Sequence, residues 1–197
     1  MRIRIITPTL VHEAALLAYR QALAATGVPV HGAYFDLFPD IPSWLAACAA
    51  PAGTLLPNGI IKVADSNWIA WDDDSARVVG VVSLRHTLND YLRAYGGHIG
   101  YGVHPACWNQ GIATRMLTHA LQYSDSLGLR ELLLVCAVDN PASARVIEKN
   151  GGERLDTVDH EGELLYRYRI RRNDAQPRVS KNKNLAKDCR KCLASKK

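Results

Sequence analysis

The order of apolar and polar positions along the chain predicts alternating short strands and amphipathic helices. Isoleucines at positions 3, 5 and 6 alternate with arginines at positions 2 and 4, which predicts an opening strand. Helical spacing then continues to about Ala25, with Pro8 near the first turn and Gly27 beyond the end. A second helix is predicted over residues 42–50, before a segment rich in proline and glycine.

The middle of the chain predicts two strands, residues 66–71 and 78–85, joined by an acidic turn. Residues 95–105 are strand-like but contain four glycines, which mark a bulge or a close approach of a ligand to the backbone. The elements after this strand are predicted as helix, strand, helix and strand, over residues 110–127, 131–137, 140–150 and 164–170. The continuous apolar run in residues 131–137 is typical of a strand buried on both faces.

Composition places the chain among ordinary globular proteins. It has 197 residues, of which 48% are hydrophobic and 22% charged. No apolar run approaches the roughly 18–20 residues of a membrane span, and the N-terminus does not resemble a signal peptide. Five cysteines without the density of a disulfide framework favour a reducing cytoplasm. We therefore expect a cytoplasmic protein with no membrane partner.

Charge is distributed unevenly, although the net charge is +5. Residues 171–197 contain ten Lys or Arg and two Asp, whereas residues 1–170 contain 14 basic and 17 acidic side chains. The last segment is also too polar to bury a core. We predict a folded domain over residues 1–172 and a basic tail over residues 173–197. Contact with nucleic acid is not expected of the domain, and only the tail leaves it open.

The junction between a predicted strand and the helix at residues 109–114 is the main chemical feature. A helix N-terminus offers unpaired N–H groups and a positive dipole end, which together hold phosphate groups. Gly111 and Ala113 lack bulky side chains, so a ligand can lie against the backbone there. The junction matches neither a P-loop nor a dinucleotide fingerprint. Taken alone, it is equally consistent with an ordinary helix start.

The residues around this junction carry a family resemblance. Residues 103–117, VHPACWNQGIATRML, resemble the acetyl-CoA loop of the GNAT superfamily of N-acetyltransferases. Residues 139–152, DNPASARVIEKNGG, resemble the next motif of that superfamily in the right order and spacing. Three shorter stretches resemble a little-characterised bacterial subgroup of predicted acetyltransferases, namely LRH at 84–86, GGHIGY at 96–101 and YRYRI at 166–170. The resemblance covers residues 78–170 well, and the N-terminal third only by the order of elements.

The resemblance implies an α/β (α+β) acyl-CoA N-acyltransferase fold, with a mixed, mostly antiparallel sheet flanked by helices. It also implies acetyl-CoA as cosubstrate and no metal. The pyrophosphate would lie on the loop amides, and the pantetheine between two splayed parallel strands, residues 98–103, which would contain a bulge, and residues 131–137. The cofactor-binding residues implied in this way are Tyr101, Gly102, Val103, Asn109, Gln110, Gly111, Ile112, Ala113, Thr114, Asn140 and Ser143.

Main-chain groups of Tyr101 and Val103 would line the pantetheine and direct an N–H at the thioester carbonyl, where negative charge develops. Asn140 and Ser143 would contact the cofactor from the following helix. Two positions depart from the family pattern. Trp108 stands where Arg or Gln is common, so one charged phosphate contact is in doubt. Ile147 stands where many members have the tyrosine that protonates the leaving thiolate, so the general acid is open.

Candidate catalytic groups follow from these departures. His98 is the candidate for accepting a proton or positioning a water near the acyl group, and the alternative is a packed histidine at a strand start. Tyr101 is the candidate for the missing acid, with Tyr166 and Tyr168 as others. For each of the three tyrosines the alternative, which the pattern favours, is a packed aromatic residue.

Five further positions are candidates for a functional role. Arg85 and His86 either line the acceptor pocket or simply end a strand. Cys136 lies in an apolar strand and is interpreted as an inert core thiol. Cys189 and Cys192 form a lone pair in the basic tail, without the further ligands that a zinc site needs.

The expected function is transfer of acetyl from acetyl-CoA to a primary amine of an unidentified acceptor, by direct attack. The alternative is a non-catalytic acyl-CoA-binding or regulatory protein of the same fold, which the isoleucine at position 147 favours. A third hypothesis is a nucleic-acid-associated protein that acts through the basic tail. The sequence leaves open whether the protein forms a homodimer.

Overall fold

The computed structural model of the chain describes residues 1–27, 34–57 and 59–172. Within these ranges the chain forms four α-helices and seven strands. The helices are α1 (Glu13–Ala24), α2 (Ile41–Ala49), α3 (Ile112–Ser126) and α4 (Pro141–Lys149). The strands are β1 (Ile3–Ile6), β2 (Asp65–Asp72), β3 (Arg77–Arg85), β4 (Ile99–Val103), β5 (Glu131–Ala137), β6 (Glu153–His160) and β7 (Glu163–Arg171). The predicted alternation of strands and helices is confirmed.

The strands pair in two antiparallel groups. The first sheet has the order β1-β2-β3-β4, and the second has the order β5-β7-β6. Helix α3 connects the last strand of the first sheet to the first strand of the second, so β4 and β5 meet where the sheets adjoin. The expected α/β architecture of mostly antiparallel strands flanked by helices is confirmed.

Helices cover both faces of the first sheet because its inner strands are apolar on both sides. In β3, Val81 packs with Leu16 of α1 and Trp44 of α2, whereas its neighbour Val82 packs with Met116 of α3. Successive side chains of a strand point to opposite faces, so one strand contributes to two cores. We call the two sides the α1/α2 face and the α3/α4 face.

Two elements differ from the prediction. Strand β6 was not expected, because nearly all of its residues are exposed and its apolar pattern is weak; antiparallel pairing with β7 holds it in place. Strand β5 has the predicted bounds, but it is not buried on both faces. Leu132, Leu134 and Cys136 are buried, while Leu133 and Val135 between them are only half-buried, because that side lies where the two sheets separate.

The glycine-rich segment also differs. Residues 92–96 form a π-helical turn, and the strand begins only at Ile99.

Within the described ranges, no helix is both long and apolar enough to cross a membrane. The C-terminal described residue, Arg172, is joined to Asp125 of α3 by hydrogen bonds of 2.7 and 2.8 Å. The basic tail, residues 173–197 with Cys189 and Cys192, lies outside the described residues.

Candidate active site

Strands β4 and β5 are joined at one point, which we call the fork, and belong to different sheets beyond it. At the fork, the N–H of His98 donates to the carbonyl oxygen of Leu133 at 2.7 Å. The N–H of Leu133 in turn donates to Nδ1 of His98 at 2.9 Å. A side chain thus takes the place that a main-chain carbonyl would have in a continuous sheet.

The backbone changes direction at His98. Its N–H donates to β5, but its carbonyl oxygen accepts from the N–H of Arg85 in β3 at 2.7 Å. In a regular strand both groups of one residue face the same neighbour. The bulge expected of this strand is not found within β4, since the β3–β4 register from Ile99 to Val103 is continuous. The irregularity lies at His98, directly before β4.

Gly97 makes this junction possible. Its φ is 64°, and a Cβ atom there would lie 2.6 Å from the carbonyl oxygen of Leu133. Any other residue would be strained and would push the two strands apart. The close approach that the glycines predicted is therefore, at this position, an approach of β5 rather than of a ligand.

The main chain of β4 has one edge directed away from β3. His98 and His104 both hydrogen-bond to β3, and the residues between them alternate. Gly102 therefore faces β3, whereas the N–H and C=O groups of Tyr101 and Val103 face the side of β5. Because β5 pairs with β7 instead, these groups form an open edge inside the molecule.

The loop that follows β4 ends in an uncapped helix. Asn109 and Gly111 have φ values of 60° and 76°, and α3 begins at Ile112 without a hydrogen bond from any described side chain to its N-terminus. The N–H groups of Ile112, Ala113 and Thr114 have no partner in their own helix. A Cβ atom on Gly111 would meet nothing within 4 Å, so the space in front of these amides is open. Such an arrangement binds anionic groups such as phosphate.

Two loop side chains support this conformation from within. The indole Nε1 of Trp108 donates to the carbonyl oxygen of Val103 at 2.9 Å. The amide nitrogen of Gln110 donates to the carbonyl oxygen of Ala106 at 3.0 Å. Both side chains thus fix the loop, and the indole covers one of the open carbonyls of β4.

Across the fork, α4 approaches β4 through Tyr101. The phenol oxygen of Tyr101 lies 2.9 Å from Oγ of Ser143 in the first turn of α4. Oδ1 of Asn140 accepts a hydrogen bond from the N–H of Ser143 at 3.0 Å and caps that helix. Burial raises the pKa of Tyr101 to about 12, so the phenol keeps its proton at neutral pH.

Comparison with known proteins identifies the family. Residues 44–153 match the family model described as an acetyltransferase (GNAT) domain. The chain belongs to this family. No curated protein matches the sequence.

Solved structures of GNAT acetyltransferases show the same fold. A ribosomal-protein-S5-alanine acetyltransferase from Vibrio fischeri has a TM-score of 0.65 and 14% identity, over 90% of this chain and 97% of that one. A GNAT-family acetyltransferase from Streptococcus pneumoniae has a TM-score of 0.61 and 16% identity, over 87% and 100%. A mutant spermidine N-acetyltransferase from Vibrio cholerae has a TM-score of 0.55 and 17% identity, over 87% and 95%.

The position at which the resemblance implied a proton-donating tyrosine belongs to the buried core in this protein. Ile147 is only 1% exposed and lies one turn after Ser143 on α4. The two other candidate phenols are engaged elsewhere, since Tyr168 donates to Glu148 at 3.1 Å and the ring of Tyr166 lies under Arg154. Of the three candidates, Tyr101 is the one whose phenol contacts the first turn of α4.

The structure narrows the two roles predicted for His98. Burial lowers the pKa of its imidazole to about 4, so the ring is neutral at pH 7. Its Nδ1 lone pair is used by the N–H of Leu133, so the neutral ring carries its proton on Nε2. Accepting a further proton would require breaking this bond. The geometry therefore argues against His98 as a proton acceptor and shows its ring joining β4 to β5.

The remaining candidates are placed by the same geometry. Cys136 is buried, and burial raises the pKa of its thiol to about 11, as for an inert core residue. His86 lies on the α3/α4 face, with Nε2 2.9 Å from Oγ of Ser66. In the described part of the chain, no group of three His, Cys, Asp or Glu side chains is arranged to hold a metal ion.

Sequence reasoning missed a set of buried polar residues near the fork. We call this set, on the α1/α2 face at the end of β2 and β3, the polar cluster; it consists of Lys62, Asp65, Asn67, Ser83 and Arg85. The available signal was Asn67, a polar residue two positions before Ile69 in an apolar strand. That spacing puts a side-chain amide on a buried face, where an apolar residue is the norm.

Proposed function

We propose that this GNAT domain transfers acetyl from acetyl-CoA to a primary amine by direct attack, without a covalent enzyme intermediate. The observation that carries the proposal is the open edge of β4 ending at the uncapped start of α3. One part presents main-chain donors and acceptors in a row, and the other presents amides suited to phosphate. We further propose residues 1–172 as the domain, supported by the ion pair between Arg172 and Asp125.

The residues present fit acetyl-CoA. The amides of Ile112, Ala113 and Thr114, together with Gly111, would hold the pyrophosphate. The main-chain groups of Tyr101 and the N–H of Val103 would hold the amide-bearing pantetheine arm, with Asn140 and Ser143 on its other side. Asn109, Gln110 and Gly102 would shape the loop and strand rather than contact the ligand through their side chains. Bound there, acetyl-CoA supplies the reactive thioester.

Catalysis would rest mainly on positioning and on main-chain donors. Holding amine and thioester together removes much of the entropic barrier of a bimolecular reaction. The amine nitrogen bonds to the carbonyl carbon, the C–S bond breaks, and the ammonium proton leaves through water. An open N–H of β4 would stabilise the negative charge that develops on the carbonyl oxygen.

Tyr101 would assist the departing sulfur as a hydrogen-bond donor. The pKa of Tyr101, about 12, exceeds the reference value of about 8.5 for a thiol, so complete proton transfer to the thiolate is unfavourable. The proton on the released thiol would therefore come from solvent or from the attacking amine. His98 would act by keeping β4 and β5 joined at the fork.

The direct test is calorimetric titration with CoA, followed by measurement of acetyl-CoA consumption with a broad panel of amines. We expect CoA to bind and at least one amine to be acetylated. A folded protein that does not bind CoA would overturn the proposal.

The second candidate function is an acyl-CoA-binding protein without catalysis, which the buried Ile147 favours because the family's proton donor is absent from that position. It predicts CoA binding with no acetyl transfer to any amine. Cytoplasmic location is part of the main proposal, and the free thiols of Cys48, Cys107 and Cys136 support it.

A further inference from the structure

The polar cluster lies beside the place where the acetyl group would be held. Arg85 donates its main-chain N–H to His98, and Ser83 is in register with Gly100 of β4. Asp65 is in register with Arg85, and Asn67 with Ser83. Since alternate residues share a face, these side chains form two adjacent pairs on the α1/α2 face.

Arg85 is a buried cation that lacks an anionic partner. Only 8% of the residue is exposed. Its Nη1 donates to the carbonyl oxygens of Gly96 and Gly97 at 3.3 and 3.1 Å, and its guanidinium lies 5.3 Å from the centre of the Tyr34 ring. In the described ranges, no carboxylate forms an ion pair with it. Its Nε also donates to the hydroxyl of Tyr34 at 3.4 Å. These neutral oxygens accept hydrogen bonds but do not neutralise the buried charge, so an anion bound beside Arg85 would be stabilised.

The surrounding charges do not supply that anion. Lys62 and Asp65 are both buried and form an ion pair with each other, so the Asp65 carboxylate is already compensated. His98 is neutral, as argued above, and the positive charge of Arg85 contributes to lowering its pKa. The cluster of Lys62, Asp65 and Arg85 therefore carries one excess positive charge.

The side-chain carbonyl of Asn67, also in the cluster, is unsatisfied. Oδ1 of Asn67 is buried and accepts no hydrogen bond in the described part of the chain. A buried carbonyl oxygen of this kind destabilises the protein unless a donor reaches it. Asn67 and Arg85 are diagonal neighbours on adjacent strands, with Cα atoms roughly 7–8 Å apart. The cluster thus has an unpaired acceptor on one strand and, on the adjacent strand, a cation without a carboxylate partner.

A pocket opens next to these groups. Its lining includes Tyr34, Lys62 and Asp65. Tyr34 is the residue whose ring lies against the guanidinium of Arg85.

We propose that the polar cluster binds the acceptor and that the acceptor is an amino-acid-like amine that also carries a carboxylate. The carboxylate pairs with the guanidinium of Arg85, and an amine N–H donates to Oδ1 of Asn67. This inference rests on the proposed acetyl transfer and adds the substrate class to it.

The first test uses the unmodified protein and matched acceptors. L-amino acids are compared with their carboxamides and their decarboxylated amines, for example phenylalanine, phenylalaninamide and 2-phenylethylamine. Acetyl-CoA consumption gives kcat/KM, corrected for the fraction of unprotonated amine. We expect the acids to exceed both analogues by at least about tenfold, because a charge-assisted hydrogen bond is lost without the carboxylate. Equal or better rates with the analogues would overturn the inference and leave acetyl transfer intact. If CoA does not bind at all, the proposed function itself fails.

The second test uses variants of Arg85. In Arg85→Gln the preference for the acid over its decarboxylated amine should fall to about one, mainly through a rise in the KM of the acid. Arg85→Lys keeps the charge and should retain part of the preference. The control is Arg4→Gln, which removes an exposed arginine of β1 that pairs with Asp73. It should change neither the preference for the acid nor the rate with the decarboxylated amine. Unchanged CoA affinity shows that each variant is folded, and if Arg85→Gln does not fold, the acid-to-amide ratio in Arg85→Lys decides. A preference that survives the loss of the guanidinium would refute the role of Arg85.

Discussion

The loop before α3 and the fork treat their backbone N–H groups in opposite ways. At the fork, the N–H of Leu133 donates to His98. At the nearby start of α4, the N–H of Ser143 donates to Asn140. At the loop, the first turn of α3 has no side-chain cap and Gly111 leaves open space before it. The chain can therefore cap a helix in this region but does not do so at α3. The open amides indicate a ligand site, whereas the satisfied ones indicate a rigid frame beside it.

Closing the open side should have the largest effect. We expect Gly111→Glu to abolish measurable CoA binding, because the side chain fills the space before the amides and repels phosphate. Gly128→Glu is a matched control, since Gly128 also has a positive φ and open space around its Cβ position but lies beyond the other end of α3. Calorimetry with CoA measures both. Equal affinity in the two variants would show that the start of α3 is not the phosphate site.

Removing the hydrogen bond between His98 and Leu133 at the fork should reduce the stability of the protein. His98→Leu leaves the buried N–H of Leu133 without an acceptor, which we expect to cost about 1–3 kcal/mol of unfolding free energy. His98→Asn places a carbonyl oxygen near the position of Nδ1 and should recover most of this loss. Denaturant unfolding measures the two variants. If Asn is no better than Leu, the hydrogen bond at the fork does not hold the strands together.

The same histidine should make stability depend on pH. Burial lowers the pKa of His98 in the folded protein to about 4, below its ordinary value of 6.5. Between these values the unfolded chain binds more protons, so stability is complete above about pH 6.5 and is lost as the pH falls toward 4. His86, His104 and His119 also have lowered pKa values, so the comparison with His98→Asn isolates the contribution of one ring. The melting temperature of that variant should fall less steeply over this range, and a parallel decline would contradict the assignment.

The smallest effect is expected for the contact between β4 and α4. Tyr101→Phe removes a hydrogen-bond donor but leaves the ring, and a thiolate is a fair leaving group without an acid. We expect kcat to fall by less than about tenfold, below the usual range for general acid catalysis, with an unchanged pH profile. Single-turnover rates measure this directly. A loss of a thousandfold would make Tyr101 the essential acid.

The sequence predicted the features that depend on local pattern. The spacing of apolar residues located all four helices of the described ranges, and the start of α3 was predicted to lie within residues 109–114. The resemblance in residues 103–117 indicated the family, which the family model confirms. These features could be predicted because each depends on residues close together in the chain.

The features that were missed depend on contacts between distant residues. The hydrogen bond of His98 requires Leu133, which lies 35 residues further along the chain. Strand β6 has few buried side chains and forms through its pairing with β7. The polar cluster exists because the β2–β3 register places Asn67 opposite Ser83 and Asp65 opposite Arg85. No local periodicity contains this information.

The position of Trp108 gives the protein an intrinsic optical signal at the loop. Its indole is 46% exposed, whereas Trp44 and Trp68 are buried and Trp71 is half-buried. Acrylamide in solution should therefore quench the emission of Trp108 more strongly than that of the other three. Because its Nε1 is held by Val103, the ring reports on the end of β4 and the start of the loop together. Ligands that cover this loop can be followed by fluorescence without any label.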